Sequence, residues 1–67
     1  MTYNITEIRK DGTYATVVPD LDPKKAKGRF AEYVEFVENL PAANRPERVM
    51  VLNGEGIAIA YRFFDTK

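Results

Sequence analysis

The stretch GIAIAYRFF, residues 56–64, carries an apolar side chain at almost every position and decides the fold. In a β-strand, alternate residues point to opposite faces of the sheet. An antiparallel strand that buries one face alternates between apolar and polar residues, and this stretch does not alternate. The sequence therefore predicts a last strand that is apolar on both faces, so each face needs a cover.

The first part of the chain predicts a β-hairpin. Residues 2–10 and 13–18 are rich in β-branched side chains and flank Asp11 and Gly12, which are typical of a two-residue type I′ turn. Pro19 is predicted to end the second strand, because proline cannot donate a hydrogen bond to a neighbouring strand. The predicted register pairs Lys10 with Thr13, Ile8 with Ala15, Thr6 with Val17 and Ile5 with Val18.

A helix is predicted next. Asp22 is a suitable N-cap and Pro23 a suitable first helical residue. Apolar residues then recur at intervals of three and four, which is typical of an amphipathic helix, and Pro41 ends the pattern. This apolar stripe consists of Ala26, Phe30, Tyr33, Val34, Val37 and Leu40, with Phe36 on its flank.

A second hairpin follows the linker of residues 41–47. Its predicted strands are residues 48–52 and 57–64, and its turn either closes on Gly54 and Glu55 or spans residues 53–56. Either turn places Leu52 opposite Ile57 and Met50 opposite Ile59.

The chain is therefore predicted to be a single small α+β domain, residues 1–67, with the order ββαββ: a four-stranded, mainly antiparallel sheet with one helix on one face. Two strand orders are open. Strands 1 and 4 lie side by side in parallel, giving the order 2-1-4-3, or strands 2 and 3 are joined by a right-handed crossover.

One helix covers one face of a sheet, which leaves the other face available to a partner. We predict that the helix covers the face with the larger side chains, namely Met50, Leu52, Ile57, Ile59 and Tyr61. The opposite face is then the predicted partner-binding surface, with the contact residues Val49, Val51, Ala58, Ala60, Arg62 and Phe64. The alternative is a half-exposed sheet without a partner, since more than half of an ordinary protein surface is apolar.

Composition excludes several classes of function. Cysteine, histidine and serine are absent, so the usual Ser/His and Cys/His nucleophile pairs cannot be built, and we expect no enzyme, no metal and no cofactor. Asp20 and Asp22 could form a carboxylate site with Glu7 or Asp65, but caps and turns explain these two aspartates more simply. Gly54 and Gly56 lack the following helix that a phosphate-binding loop requires.

Charge and hydropathy predict the cellular compartment of the protein. Ten basic residues balance ten acidic ones, which gives no general attraction to nucleic acid or to anionic lipid. No apolar run approaches the roughly 20 residues of a membrane span, and the first residues lack the apolar core of a signal peptide. We therefore expect no membrane association and a cytoplasmic location.

A local basic cluster is the exception to this balance. Lysines and an arginine occupy the predicted first turns of the helix, where the helix dipole disfavours cations. Such a cluster could bind phosphate groups, or its side chains could simply be solvated. The candidate nucleic-acid-binding residues are Lys24, Lys25, Lys27, Arg29, Arg45 and Arg48.

The sequence thus favours a small non-enzymatic protein-binding module. In size and architecture it resembles the inhibitors and adaptors that phages and other mobile elements encode, and its partner would be another protein or a second copy in a homodimer. The alternative function is nucleic-acid binding through the basic cluster, or through aromatic side chains on the strands that stack on bases.

Overall fold

The computed structural model describes residues 1–64 and has the α+β fold and the ββαββ order that the sequence predicts. One helix packs on a four-stranded antiparallel sheet. The elements are β1 (Tyr3–Ile8), β2 (Tyr14–Leu21), α1 (Pro23–Glu38), a 3₁₀ turn (Ala42–Asn44), β3 (Arg48–Leu52) and β4 (Ala58–Phe63).

The strand order is β2-β1-β3-β4, so both predicted orders are wrong. The two hairpins join through β1 and β3, which pair antiparallel with Ile5 opposite Val51. The direction of α1 explains this arrangement. The helix carries the chain back to the end of the sheet where β1 finishes, so β3 enters from that end and runs antiparallel to β1.

The first hairpin turn has three loop residues instead of the predicted two. The Arg9 N–H donates to the Thr13 carbonyl at 2.7 Å, and the Gly12 N–H donates to the Arg9 carbonyl at 3.0 Å. Gly12 has φ +89°, as expected for a type I turn that ends in a glycine bulge. The Asp11 carboxylate fixes this loop by accepting from the N–H and the hydroxyl of Thr13, at 2.9 and 2.6 Å.

The second hairpin turn repeats this design, so neither predicted form of it is correct. The Asn53 N–H donates to the Ile57 carbonyl and the Gly56 N–H donates to the Asn53 carbonyl, both at 3.0 Å. Gly56 has φ +82°. The Asn53 side chain accepts from the N–H groups of Glu55 and Ile57, and so it fixes the second turn as the Asp11 side chain fixes the first.

These turns change the strand registers. The three-residue loop pairs Ile8 with Tyr14 instead of Ala15. A register shift then leaves Val17 without an opposite residue, and this shift restores the predicted pair Ile5–Val18. The registers of the second hairpin are also wrong. The observed pairs are Val51–Ala60, Met50–Tyr61 and Leu52–Ala58, and the shift between them leaves out Ile59.

Pro19 does not end β2, contrary to the prediction. The strand continues to Leu21, which lies opposite Tyr3 and is buried. Proline is tolerated on an edge strand, where its missing N–H would face solvent. Asp20, next to it, has φ +52°, and this bend turns the chain towards the helix.

Helix α1 begins and buries its stripe as predicted. The Lys24 N–H donates to the Asp22 carboxylate at 2.9 Å, which makes Asp22 the N-cap, and Pro23 is the first helical residue. The C-cap is Asn39, two residues before Pro41. The buried members of the predicted stripe are Ala26, Val34 and Val37, and the half-buried ones are Phe30, Tyr33 and Leu40.

The helix covers the opposite face of the sheet from the one predicted. Val51 is only 2% exposed and lies beneath α1 with Val49, whereas Met50 and Leu52 lie on the helix-free face. The position of α1 explains the error, because the helix lies over the central strands β1 and β3 and leaves the large side chains of the edge strand β4 uncovered. The buried core cluster consists of Ile5, Leu21, Ala26, Val37, Val49 and Val51.

Candidate interaction surface

The face of the sheet opposite α1, here called the helix-free face, is built from rows of side chains that cross the four strands. Ile8 lies opposite Tyr14 on one side and Arg48 on the other, and Arg48 in turn lies opposite Phe63. The same registers give further rows of side chains that run alongside this one. The residues of the helix-free face are Tyr14 and Thr16 on β2, Asn4, Thr6 and Ile8 on β1, Arg48, Met50 and Leu52 on β3, and Ala58, Tyr61 and Phe63 on β4.

Aromatic side chains at the two sides of this face are open to solvent. Tyr14 is 74% exposed, Tyr61 63% and Phe63 54%. At the centre of the face Thr6 is buried by its neighbours, and its hydroxyl donates to the side-chain Oδ1 of Asn4 at 2.6 Å. The central polar pair is therefore satisfied internally, and the groups left for a partner are mainly apolar.

The exposed apolar side chains concentrate on β4. Ile57 precedes the strand and Ile59 lies in it, and both are about half exposed, as are Tyr61 and Phe63. The rings of Tyr61 and Phe63 meet edge to face, with their centroids 5.6 Å apart. This strand forms one edge of the sheet and lies beyond the cover of α1, which explains how it can be apolar on both faces.

Arg48 is the cation of the helix-free face. Its guanidinium carbon lies 5.5 Å from the centre of the Phe63 ring, within the range of a cation–π contact. Its Nε is buried and has no hydrogen-bond partner among residues 1–64. Within that range this face carries a positive charge and no carboxylate, so it favours an apolar or acidic surface over a basic one.

The predicted partner-binding residues do not form one surface. Val49 and Val51 are buried in the core, and the half-buried Ala60 and Phe64 pack against it from the same side. Arg62 is exposed at the edge, where it bonds to Glu38 at 3.4 Å and stacks over Phe64 at 5.8 Å. Ala58 alone of the six lies on the helix-free face.

Sequence reasoning missed the residues that do form this face. Met50 and Leu52 were expected beneath the helix, and Tyr61 was expected in the core. The signal that could have found them is Tyr61 and Phe63 at an i, i+2 spacing on a strand next to Arg48, since these side chains share one face.

The predicted basic cluster divides into separate parts. Lys24, Lys25, Lys27 and Arg29 are exposed on the first turns of α1. Arg45 lies at the other end of the helix, where its Nε donates to the Leu40 carbonyl at 3.1 Å and its Nη2 donates to the Glu38 carbonyl at 2.9 Å. At 1.5 Å of rise per residue, Lys24 and Glu38 are separated by about 21 Å along the axis. Arg45 therefore satisfies the C-terminal carbonyls of the helix and does not extend the cluster.

The carboxylate site that the sequence analysis considered and disfavoured does not form from Asp20, Asp22 and Glu7. Asp22 is the helix cap, and Glu7 accepts a hydrogen bond from the Tyr33 hydroxyl at 3.2 Å. Burial, followed by the Glu7 charge and this hydrogen bond, raises the pKa of Tyr33 to about 12. Asp65 lies outside the described residues. In residues 1–64 no three acidic side chains come together as a metal site, and Gly54 and Gly56 belong to a hairpin turn.

A shallow apolar groove of about 320 Å³ lies on the other side of β4, between this strand and the first half of α1. Phe30 and Ala26 form its helix wall, and Ile59 and Ala60 form its sheet wall. Lys27 provides the charge at its rim. Exposed apolar surface thus flanks β4 on both faces of the sheet.

Comparison of the chain with protein-family models, with curated proteins and with solved structures finds no match. Within residues 1–64, helix α1 is too short and too polar to cross a bilayer.

Proposed function

We propose that this protein is a small non-enzymatic protein-binding module of the inhibitor or adaptor type, and that it acts through its helix-free face. The observation that carries the proposal is the concentration of exposed Tyr14, Tyr61 and Phe63 on a face that, within residues 1–64, has Arg48 as its one cation. The proposed partner is another protein or a second copy of the chain, and the proposed compartment is the cytoplasm.

The size of the face supports this proposal. The molecule measures 36 × 22 × 15 Å, so its broadest side projects to roughly 800 Å², the area that each partner contributes to a standard interface. Exposed aromatic side chains and arginine are also the residues that dominate binding energy in protein interfaces.

The small core supports it as well. A domain of about 60 residues buries only about 60% of the surface of its unfolded chain. This chain has no cysteine with which to form a disulfide, so binding to another protein is the remaining common source of additional stability.

The test compares a variant of the face with a matched control. Met50→Lys places an ammonium group at the centre of the helix-free face, whereas Ala31→Lys places one on the exposed side of α1. We expect wild type and Ala31→Lys to self-associate in light scattering or to capture the same protein from a lysate, and Met50→Lys to do neither. A wild-type monomer that captures nothing, or capture that Met50→Lys retains, would contradict the proposal.

Nucleic-acid binding is the second candidate and has weaker support. It would now depend on Lys24, Lys25, Lys27 and Arg29 alone, or on bases stacked on Tyr61 and Phe63 beside Arg48. It predicts binding that falls steeply with salt. A titration with single-stranded oligonucleotides at low salt that shows no complex would remove it.

A further inference from the structure

The outer edge of β4 has backbone groups that no strand of residues 1–64 pairs with. The Phe64 N–H donates to the Glu47 carbonyl at 3.1 Å, so the backbone of Phe64 points towards β3. Hydrogen-bonding direction alternates along an antiparallel strand. Arg62 therefore also points inwards, and the N–H and C=O groups of Tyr61 and Phe63 point outwards.

The other edge of the sheet is blocked. There β2 contains Pro19, which has no N–H, and Asp20, whose φ of +52° interrupts the extended backbone. Val17 adds an irregularity in the register. These features protect an edge strand from further pairing. Strand β4 has only the irregularity at Ile59, and its last residues are regular, with the aromatic Tyr61 and Phe63 on either side of Arg62.

We propose that two copies of the chain pair through β4, antiparallel about a two-fold axis next to Tyr61, and form a continuous eight-stranded sheet. The contact between the two β4 strands is here called the seam. This inference rests on the proposed function, since it takes a second copy as the partner and names the contact.

The register follows from hydrogen bonding and charge. With the axis at Tyr61, this residue and Tyr61 of the second copy exchange two backbone hydrogen bonds, as two outward-pointing residues must. Arg62 then lies opposite Ala60 of the second copy and keeps its bond to Glu38. An axis at Arg62 would place two guanidinium groups opposite each other in a non-hydrogen-bonded pair, where side chains lie closest, and like charges directly opposite are destabilising.

Packing favours the same arrangement. On the helix-free face, the edge-to-face pair of Tyr61 and Phe63 meets its equivalent across the seam and forms a cluster of four rings. On the other face, Ile59 and the apolar groove beside Phe30 lie next to the seam. Such a seam is smaller than the standard interface of roughly 1,600 Å², so we expect a dimer that dissociates on dilution.

Cysteine substitution tests the seam directly, because the chain has no cysteine of its own. In a hydrogen-bonded antiparallel pair the two Cα atoms are about 5.5 Å apart, within the range of a disulfide of about 4.4 to 6.8 Å. We expect Tyr61→Cys to form a covalent dimer at least ten times faster than Tyr14→Cys in oxidised glutathione. Tyr14 is the matched control, since it is a comparably exposed tyrosine on the opposite edge strand.

The outcomes separate this inference from the proposed function. Equal crosslinking of the two variants, or a wild-type monomer at about 200 µM, well above a micromolar Kd, would overturn pairing through β4. In that case, capture of another protein that Met50→Lys abolishes would still support the proposed function. Selective crosslinking of Tyr61→Cys that persists in the Met50→Lys background supports the β4 seam even when the helix-free face itself is disrupted.

Discussion

Val51 and Ala60 lie opposite each other on β3 and β4, and both side chains pack on the helix side of the sheet. Ala58, two residues before Ala60, lies on the other face because the irregularity at Ile59 shifts the register between them. Because Val51 and Ala58 lie on opposite faces, a lysine at each position should have a different effect, although the sequence analysis placed both residues on one face.

We expect Val51→Lys to unfold the protein and Ala58→Lys to leave it folded. Val51 is buried beneath α1, so a lysine there would bury an unpaired ammonium group, at a cost comparable to the roughly 5 kcal/mol of stability that a small domain has. Ala58 is exposed. Far-UV circular dichroism with urea titration measures both effects, and a folded Val51→Lys variant would contradict the assignment of the faces.

Asp22→Ala should destabilise the protein without changing its fold. The Asp22 carboxylate accepts the Lys24 N–H at 2.9 Å, and loss of an N-cap costs about 0.5 to 2 kcal/mol. Chemical denaturation gives this difference. Asp20→Asn is the control for loss of one negative charge, since asparagine tolerates the positive φ of this position as aspartate does, and an equal loss in both variants would argue against capping.

The helix could be predicted almost completely from the sequence because its determinants are local. Asp22 and Pro23 define its start, and the spacing from Ala26 to Val37 defines its buried side. Side chains three and four residues apart share a face whatever the rest of the chain does. The strands of the second hairpin were also predicted to within a residue or two, for the same reason.

The registers and the face that α1 covers could not be predicted, since registers depend on single-residue offsets and the covered face depends on how the helix docks on the sheet. Asp11 and Gly12 are compatible with a two-residue or a three-residue loop, and the choice moves Ile8 from Ala15 to Tyr14. The irregularity at Ile59 moves Ala58 to the helix-free face, since a shift of one residue exchanges the two faces of a strand. Ala60 and Phe64 stay on the side of Val51, as predicted, so the larger error is the choice of the face that α1 covers.

Lys24→Glu should stabilise the helix. The first turn of α1 has no acidic residue and carries Lys24 and Lys25, although the dipole of a helix favours negative charge at its N-terminus. We expect a gain of about 0.3 to 1 kcal/mol at low salt, which added salt reduces. Ala31→Glu, exposed in the middle of α1, is the matched control, and an equal gain there would show that the dipole is not the cause.

Tyr33 makes the stability of the protein depend on alkaline pH. Burial and the neighbouring Glu7 raise the pKa of Tyr33 from 10.0 to about 12, so the folded state holds the phenol proton more tightly than the unfolded chain does. This contribution to stability is complete below pH 10 and is lost as the pH rises towards 12. The free energy of unfolding of the wild type should therefore fall more steeply over this range than that of Tyr33→Phe, which has no phenol to ionise at this position.

Urea titrations from about pH 9 to about pH 12 measure the difference, with Tyr14→Phe on the exposed edge strand as the control for loss of a tyrosine hydroxyl. Parallel pH profiles of the wild type and Tyr33→Phe would show that burial and the neighbouring Glu7 do not raise the pKa of Tyr33 in solution.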